Sequence, residues 1–182
     1  GQDPVAGIVR SMLGIPPGTG REAEAVRAAA AVDEGLISAA QLAFLYDLMR
    51  LPHVAAMRAM YDAMDNETRE RGKRDTLSAL MEHLAGQSPI LLVVEDLHWA
   101  DSVTLVHVAH MAAAAHAIPV LMVLTSRIEN DPIDVEWRRA ARPTAIATVD
   151  LQPLGAKDAR ALAAAFADMD SKFVQDCIDR AE

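Results

Sequence analysis

The sequence predicts a mixed α/β fold in which a helical first part precedes a parallel β-sheet. The first part, residues 3–86, consists of amphipathic, alanine-rich segments broken by turn residues. Two short apolar runs, 90–94 and 120–125, are rich in strand-forming residues, and a helical pattern that begins at Ser102 separates them. A strand, a helix and a second strand in this order are typical of a parallel sheet with a crossover helix.

The first part is predicted to hold a series of helices with recognisable ends. Ser38 is a typical N-cap residue, and Pro52 ends the helix that Ser38 starts. The predicted helices cover 3–13, 21–32, 38–50, 53–64 and 68–84.

The second part is predicted to contain about three strands with helices between and after them. The strands are short and apolar throughout, which is typical of parallel strands that are buried on both faces. The predicted elements are strands 90–94, 120–125 and 145–149, with helices from Ser102, around 136–139, and over 157–166 and 171–180.

Composition narrows the class of protein. The chain has 182 residues, a formal net charge of -9 and 52% hydrophobic residues. This fits a soluble globular domain and excludes disorder. The negative charge also argues against a surface that grips nucleic acid or anionic lipid. Cys177 is the one cysteine, so an intrachain disulfide and a cysteine zinc cluster are excluded, and a reducing, cytoplasmic setting is the default.

Charged side chains follow both of the first two predicted strands. Glu95 and Asp96 come directly after 90–94, and Arg127 closes the sequence Thr-Ser-Arg after the next strand. The carboxyl ends of parallel strands meet at one edge of a sheet, which is where ligands bind in open α/β folds. Carboxylates there can hold Mg²⁺ and polarise a water molecule, and an arginine can bind a terminal phosphate. The sequence therefore predicts a magnesium–phosphate site at this edge.

The segment Pro89 to Asp101 reads PILLVVEDLHWAD. It resembles the Walker B segment of the signal-transduction branch of P-loop ATPases. These AAA-like modules occur in LuxR-type and maltose-regulator-type transcriptional regulators and in class III adenylate and guanylate cyclases. The segment PVLMVLTSR that ends at Arg127 and the turn LQPL that ends at Leu154 are similar to later segments of the same family. The resemblance covers about residues 70–182.

The resemblance implies ATP and Mg²⁺ as cofactors. By resemblance, Glu95 and Asp96 are the magnesium-coordinating and water-activating pair, and which of them does which stays open. Arg127 resembles the sensor arginine that reads the γ-phosphate. Asp101 belongs to the same nucleotide-binding string and is also expected to cap the following helix.

The resemblance also implies a domain organisation. Residues 1–150 would form a partial P-loop ATPase core, helical over 1–86 and β/α over 87–150. Residues 151–182 would begin a C-terminal helical lid.

The phosphate-binding loop of such an ATPase is missing. The nearest sequence, GIPPGTGRE, has Arg21 in place of the lysine and Glu22 in place of the magnesium-binding hydroxyl, and a helix rather than a strand is expected before it. By resemblance the true loop would precede Gly1. We therefore expect this piece alone to bind ATP weakly or not at all and not to hydrolyse it.

A missing loop strand would also leave a vacancy in the sheet. In the family that strand lies between the strands that are 120–125 and 145–149 here. We expect the piece either to repack its third strand or to fill the gap from another copy through its open sheet edges.

Two classes of function remain open. In the first, the parent protein uses ATP binding and slow hydrolysis to control a covalently attached cyclase or DNA-binding domain, without direct nucleic-acid or membrane contact by this piece. In the second, the Walker B string is a relic and the helical part is a non-catalytic interaction module.

Metal sites of other kinds are weaker hypotheses. A zinc site at the histidines of the helix after Ser102 lacks tight ligand spacing, and the acids and His98 around the strand end cannot all converge.

Overall fold

The computed structural model describes residues 3–129 and 131–165. The chain divides into two compact units between Ile146 and Ala147. The first unit contains seven α-helices and two strands among its described residues, and one helix is described in the second. The predicted mixed α/β class is confirmed, with helix as the dominant element.

The described helices are α1 Pro4–Met12, α2 Arg21–Asp33, α3 Leu42–Leu48, α4 Ala55–Asp62, α5 Asn66–Gln87, α6 Ser102–Ala115, α7 Val135–Ala140 and α8 Ala156–Ala165. The strands are β1 Ile90–Val94 and β2 Val120–Leu124, and 3₁₀ turns occupy Ala39–Gln41 and Leu97–Trp99. Each predicted helix up to 166 is confirmed within a few residues. The predicted helix 171–180 lies outside the described residues.

Helix ends follow the local sequence. The Asp3 carboxylate accepts hydrogen bonds from the backbone N–H groups of Val5 (3.0 Å) and Ala6 (3.4 Å), and Pro4 stands at the first helical position of α1. Gly14, with φ of 67°, lets the chain leave that helix in the left-handed region. The long helix α5 begins in the same way, because Asp65 accepts from the N–H of Thr68 at 2.7 Å.

The core of the first unit lies where α5 packs against α3 and α6. Leu77, Leu80 and Met81 of α5 are completely buried, as is Leu45 of α3. Met111 of α6 is equally buried and belongs to the same hydrophobic cluster. This cluster continues beneath the sheet, so the helices form the base on which the strands rest.

The two strands pair in parallel and in register. Ile90 lies opposite Val120, and Val94 lies opposite Leu124 at the carboxyl end. Helix α6 connects them and packs against β2. This βαβ unit is the one that the spacing of apolar runs predicted.

One face of the sheet differs from the prediction of strands buried on both sides. Leu92 and Val94 are buried, but Leu91 and Leu121 on the opposite face are 63% and 64% exposed. Val93 on that face is 49% exposed. In the first unit, the helices pack on one side of the sheet, so the apolar residues of the other face contact solvent. The alternation is that of a half-covered sheet.

The predicted third strand, 145–149, is wrong for the described residues. Within 3–129 and 131–165, β1 and β2 are the strands that pair, and 145–149 is exposed and irregular. Its residues suit a strand, but strand formation requires a hydrogen-bonding neighbour, and β-propensity depends on that context. The sheet therefore has two strands within the described residues, and how the expected vacancy would be filled stays a prediction.

Among residues 3–129 and 131–165, every helix is too short or too polar to span a lipid bilayer.

Candidate functional site

The carboxyl ends of the two strands form one polar edge, made of residues 95–99 and 125–127, which we call the carboxyl edge. Hydrogen bonds continue the pairing beyond the strands. The Thr125 N–H donates to the Val94 carbonyl at 3.0 Å, and the Leu97 N–H donates to the Thr125 carbonyl at 2.8 Å. The Asp96 N–H donates to the Thr125 hydroxyl at 2.9 Å. Thr125 thus fixes the backbone that carries the acidic pair.

Glu95 and Asp96 both expose their side chains at this edge. Asp96 has a φ of 56°, in the left-handed region that aspartate tolerates better than most residues. This conformation turns the chain from β1 into the 3₁₀ turn at Leu97–Trp99. The two adjacent carboxylates therefore leave the sheet in different backbone conformations, at a point fixed by Thr125.

Carboxylate oxygens are hard ligands, which suit Mg²⁺. Magnesium is commonly held by one or two carboxylates and completes its shell with water and phosphate oxygens. Glu95 and Asp96 match that donor set. No group of three or more His, Cys, Asp or Glu residues in the described ranges is arranged to hold a metal ion by itself.

Arg127 lies on the same edge and is exposed. Its guanidinium carbon is 5.9 Å from the centre of the Trp99 ring, which is within the range of a cation–π contact. Trp99 itself is 73% exposed, so the pair stands at the surface. The parallel register thus brings Glu95, Asp96 and Arg127 to one edge of the sheet, as expected from their positions after the two strands.

Asp101 has a structural position at the start of α6. Its carboxylate accepts a hydrogen bond from the Thr104 N–H at 2.7 Å, as an N-cap does. The hydrogen bonds from the backbone and side chain of Thr104 lower the pKa of Asp101 below its ordinary value, and the charge of Arg50 acts in the same direction. The capping role expected from the sequence is thus present.

Asp101 also lines a polar cavity of ≈ 40 Å³ beneath the start of α6. Around it, Arg50 is paired with Asp3 at 2.8 Å and Lys73 with Asp47 at 3.3 Å. A space of this size holds about one or two water molecules. The charges that surround it are already paired, so the cavity is suited to water rather than to a nucleotide.

Two residues of the edge were not assigned a role by the sequence pattern. Thr125 joins the strand ends through its hydroxyl, and His98 is almost buried behind Asp96. A polar residue directly after a buried strand was the available signal for Thr125. For His98 the signal was a histidine inside an otherwise apolar and acidic string. The burial of its ring depends on tertiary packing.

The glycine-rich sequence near the start, 14–20, lies between α1 and α2. A helix precedes it, whereas a phosphate-binding loop follows a strand. This agrees with the interpretation that it is a turn between helices.

The helix histidines contact their own or a neighbouring helix, and the buried His107 Nε2 atom has no hydrogen-bond partner among the described residues and lies 4.0 Å from Glu70 Oε2. His107 Nδ1 is 2.8 Å from the Val103 carbonyl, and His110 Nε2 is 2.9 Å from the Ser78 hydroxyl. Burial lowers the pKa of His110, which favours its neutral form. These contacts are those of residues that pack a helix in place.

No protein-family profile matches the chain, and no solved structure matches it. An uncharacterized protein of Rhizobium meliloti is 36% identical over 92 residues, which is 50% of this chain and 8% of that protein. The chain is therefore similar to a small part of a much longer polypeptide.

Proposed function

We propose that this chain is part of an ATP-binding regulatory module, and that its carboxyl edge faces the magnesium–triphosphate unit of the nucleotide. The parent polypeptide would be a cytoplasmic, multidomain signalling protein of the AAA-like P-loop ATPase type. Binding of ATP, followed by slow hydrolysis, would act as a switch on an attached cyclase or transcription-regulating domain. The observation that carries the proposal is the convergence of two carboxylates and one guanidinium at the same strand ends.

Each of these side chains has a chemical role in the proposal. One of Glu95 and Asp96 holds Mg²⁺, directly or through water, and the other polarises the attacking water. Arg127 binds a γ-phosphate oxygen, with a planar guanidinium that can donate two parallel hydrogen bonds. The exposure of all three side chains supports this, because a large and highly charged ligand can approach them.

The phosphate cradle must come from elsewhere in the parent polypeptide. The described residues contain no glycine-rich loop that follows a strand. The proposal therefore predicts that this chain alone binds MgATP weakly, and that the parent polypeptide binds it tightly. The similarity to a small part of a longer protein is compatible with such an arrangement.

The test is Mg²⁺-dependent ATP hydrolysis by the longest natural polypeptide that contains this sequence. Glu95→Gln, Asp96→Asn and Arg127→Ala are compared with Glu129→Gln, an exposed acid close in sequence that has no role in the proposal. We expect at least one of the two carboxamide variants to lose about 100-fold or more in kcat, because a positioned acid or base contributes that much. Unchanged hydrolysis in all three edge variants would refute the proposal.

A second candidate function has one specific observation in its favour. The apolar sheet face formed by Leu91, Val93, Leu121 and Val123 is exposed, and contiguous exposed apolar surface is typical of an interaction site. In this alternative the chain is a scaffold and the Walker B string is a relic. A homo-oligomer formed through the open sheet edges would be a variant of the same idea.

The two candidates respond differently to substitution. The scaffold function requires that Leu91→Lys and Leu121→Lys weaken association of the parent polypeptide, measured by light scattering, while Glu95→Gln and Asp96→Asn leave association and nucleotide turnover unchanged. The ATPase function instead requires that at least one of Glu95→Gln and Asp96→Asn lower nucleotide turnover.

A further inference from the structure

His98 is an imidazole without hydrogen-bond partners at the carboxyl edge. Its side chain is 8% exposed, and neither of its buried ring nitrogens has a hydrogen-bond partner within residues 3–129 and 131–165. A buried polar group left unsatisfied costs about 1–3 kcal/mol. Such groups are rare in folded proteins and commonly mark a functional position or a missing partner.

The surroundings of His98 indicate which partner is missing. Its Nδ1 atom is 4.0 Å from the Oδ1 atom of Asp96. This separation is too long for a hydrogen bond, which requires a distance near 3 Å. The gap to hydrogen-bond distance is about 1 Å, and no other acidic oxygen within ion-pair distance of the His98 ring is present in the described part of the chain.

The ring is fixed and the carboxylate is adjustable. His98 packs against Trp99 with ring centroids 4.8 Å apart, and its burial restricts its movement. The backbone of Asp96 is held by Thr125, but the Asp96 side chain is 57% exposed. A change in the carboxylate rotamer can therefore complete the pair, whereas a movement of the ring would disturb packed atoms.

We propose that His98 is a positioning residue, whose Nδ1–H donates a hydrogen bond to Asp96 when the other carboxylate oxygen binds Mg²⁺. The inference rests on the proposed function, since it assigns the metal to Asp96. Carboxylates that bind metals are in turn hydrogen-bonded, and loss of that second partner weakens metal affinity about 10–100-fold. The proposed hydrogen bond from His98 also selects Asp96, rather than Glu95, as the residue that holds the ion.

The first experiment uses this chain and Mg²⁺ alone as the probe. The amide NMR signals of Glu95 and Asp96 are followed during a Mg²⁺ titration in the unsubstituted chain and in three His98 variants. His98→Asn keeps an N–H donor near the position of Nδ1, His98→Gln places one nearer Nε2, and His98→Leu removes both. We expect His98→Leu and His98→Gln to raise the apparent Kd about tenfold or more, and His98→Asn to stay close to the unsubstituted value.

A merely structural role gives a different pattern. If His98 only packs the turn, His98→Leu binds Mg²⁺ as the unsubstituted chain does, and the inference is refuted while the proposed function stands. Two-dimensional amide spectra of every variant check that the fold is retained. A variant that loses the fold is replaced by the ring measurement described next, which requires no change at His98.

The second experiment observes the His98 ring in the presence of excess Mg²⁺, the condition under which the hydrogen bond to Asp96 is proposed to form. Long-range ¹H–¹⁵N spectra report which ring nitrogen carries the proton. We expect the Nδ1–H tautomer to predominate in the unsubstituted chain and to give way to the Nε2–H tautomer in Asp96→Asn, where the anionic acceptor is removed. Glu95→Gln is the matched control and should leave the tautomer unchanged.

The two experiments separate the failure of the inference from that of the proposed function. An unchanged tautomer in Asp96→Asn refutes the coupling of His98 to Asp96, whatever binds at the edge. A tautomer change without any Mg²⁺-dependent shift at Glu95 or Asp96 supports the coupling and refutes the magnesium role.

Discussion

The helical part, residues 3–87, and the strand part, residues 88–146, satisfy their polar groups in different ways. In the helical part, buried Glu24 accepts two hydrogen bonds from Arg10, at 2.7 and 3.1 Å, and the same guanidinium donates to the Met49 carbonyl at 2.9 Å. In the strand part, His98 has no hydrogen-bond partner among the residues that the structure describes, and Glu95 and Asp96 face solvent.

The two parts also differ in how far their apolar side chains are buried. Leu77 and Leu80 of the helical part are completely buried, whereas Leu91 and Leu121 of the sheet are 63% and 64% exposed. The strand part therefore presents an exposed apolar sheet face together with the exposed carboxylates of Glu95 and Asp96, which further chain or a ligand can contact. We conclude that the buried core of the first unit lies mainly among the helices, and that the proposed site lies at the strand ends.

The largest expected effect is on the free energy of unfolding when a core leucine is shortened. Leu80→Ala should lower it by about 2–5 kcal/mol, because the side chain is fully buried and leaves a cavity. Leu91→Ala, on the exposed face of the sheet, should change it by less than about 1 kcal/mol. Urea denaturation of both variants is the measurement. Equal losses would contradict the difference drawn between the two parts.

The next effect tests the close packing of α5 against α3. A Cβ atom at Gly72 would collide with the Phe44 ring, which is buried and packs against Tyr61 at a centroid distance of 5.8 Å. Gly72→Ala should therefore destabilise the protein by about 1–3 kcal/mol. Gly86 lies near the strand end of the same helix and has open space at the Cβ position.

Gly86→Ala is the matched control for that substitution. It should stabilise the protein by about 0.4–1 kcal/mol, since alanine restricts the unfolded chain and favours helix. Thermal unfolding of both variants decides the point. A stabilising Gly72→Ala would show that the helical part is packed no more tightly than the junction with the strands.

A smaller effect concerns the cap of α6, at the boundary of the carboxyl edge. Asp101→Ala should cost about 1 kcal/mol at neutral pH. The pKa of folded Asp101 lies below its ordinary value of 3.8. Its charge-dependent contribution is thus present in full well above that value, and is lost as the pH falls through the lower pKa of the folded state.

Unfolding midpoints at pH 7 and near pH 3 test this dependence. Asp101→Asn keeps the capping oxygen without the charge, so it should differ from the unsubstituted chain less at the lower pH than at pH 7. A difference between Asp101→Asn and the unsubstituted chain that grew on acidification would contradict the lowered pKa of folded Asp101. The Thr104 hydrogen bonds would then not stabilise its charged form.

The smallest expected effect is the contact of Arg127 with Trp99. An exposed cation–π pair is worth about 0.5–1 kcal/mol. A double-mutant cycle with Arg127→Met and Trp99→Leu should therefore give a coupling energy in that range or below, measured by chemical denaturation. A coupling several times larger would mean that the carboxyl edge is a structural cluster, contrary to its proposed role in nucleotide binding.

The sequence predicted the elements better than their surroundings. The helices and the two strands were predicted from apolar periodicity and caps, because Asp65, Asp101 and Pro4 act within one turn of the backbone. The third strand at 145–149 was predicted from composition alone. It failed because a strand depends on a neighbour that sequence composition does not supply.

The site was predicted to a similar extent. The parallel register follows from the βαβ order, so the meeting of Glu95, Asp96 and Arg127 at one edge could be anticipated. The Thr125 hydrogen bonds could not, since they depend on how far the pairing continues beyond the strands. The buried ring of His98 also could not be predicted, because three residues of loop can direct a side chain to either side of the backbone.

By itself, the sequence determined the identity of the helices, the parallel order of β1 and β2, and the charges that follow each strand. These are local properties, set by backbone hydrogen bonding, caps and the alternation of apolar residues. The tertiary structure decided which face of the sheet is covered, which carboxylate lies beside His98, and which polar atoms lack partners. Those properties depend on contacts between residues far apart in the chain, and the physical reason is that burial and hydrogen-bond geometry are fixed by packing.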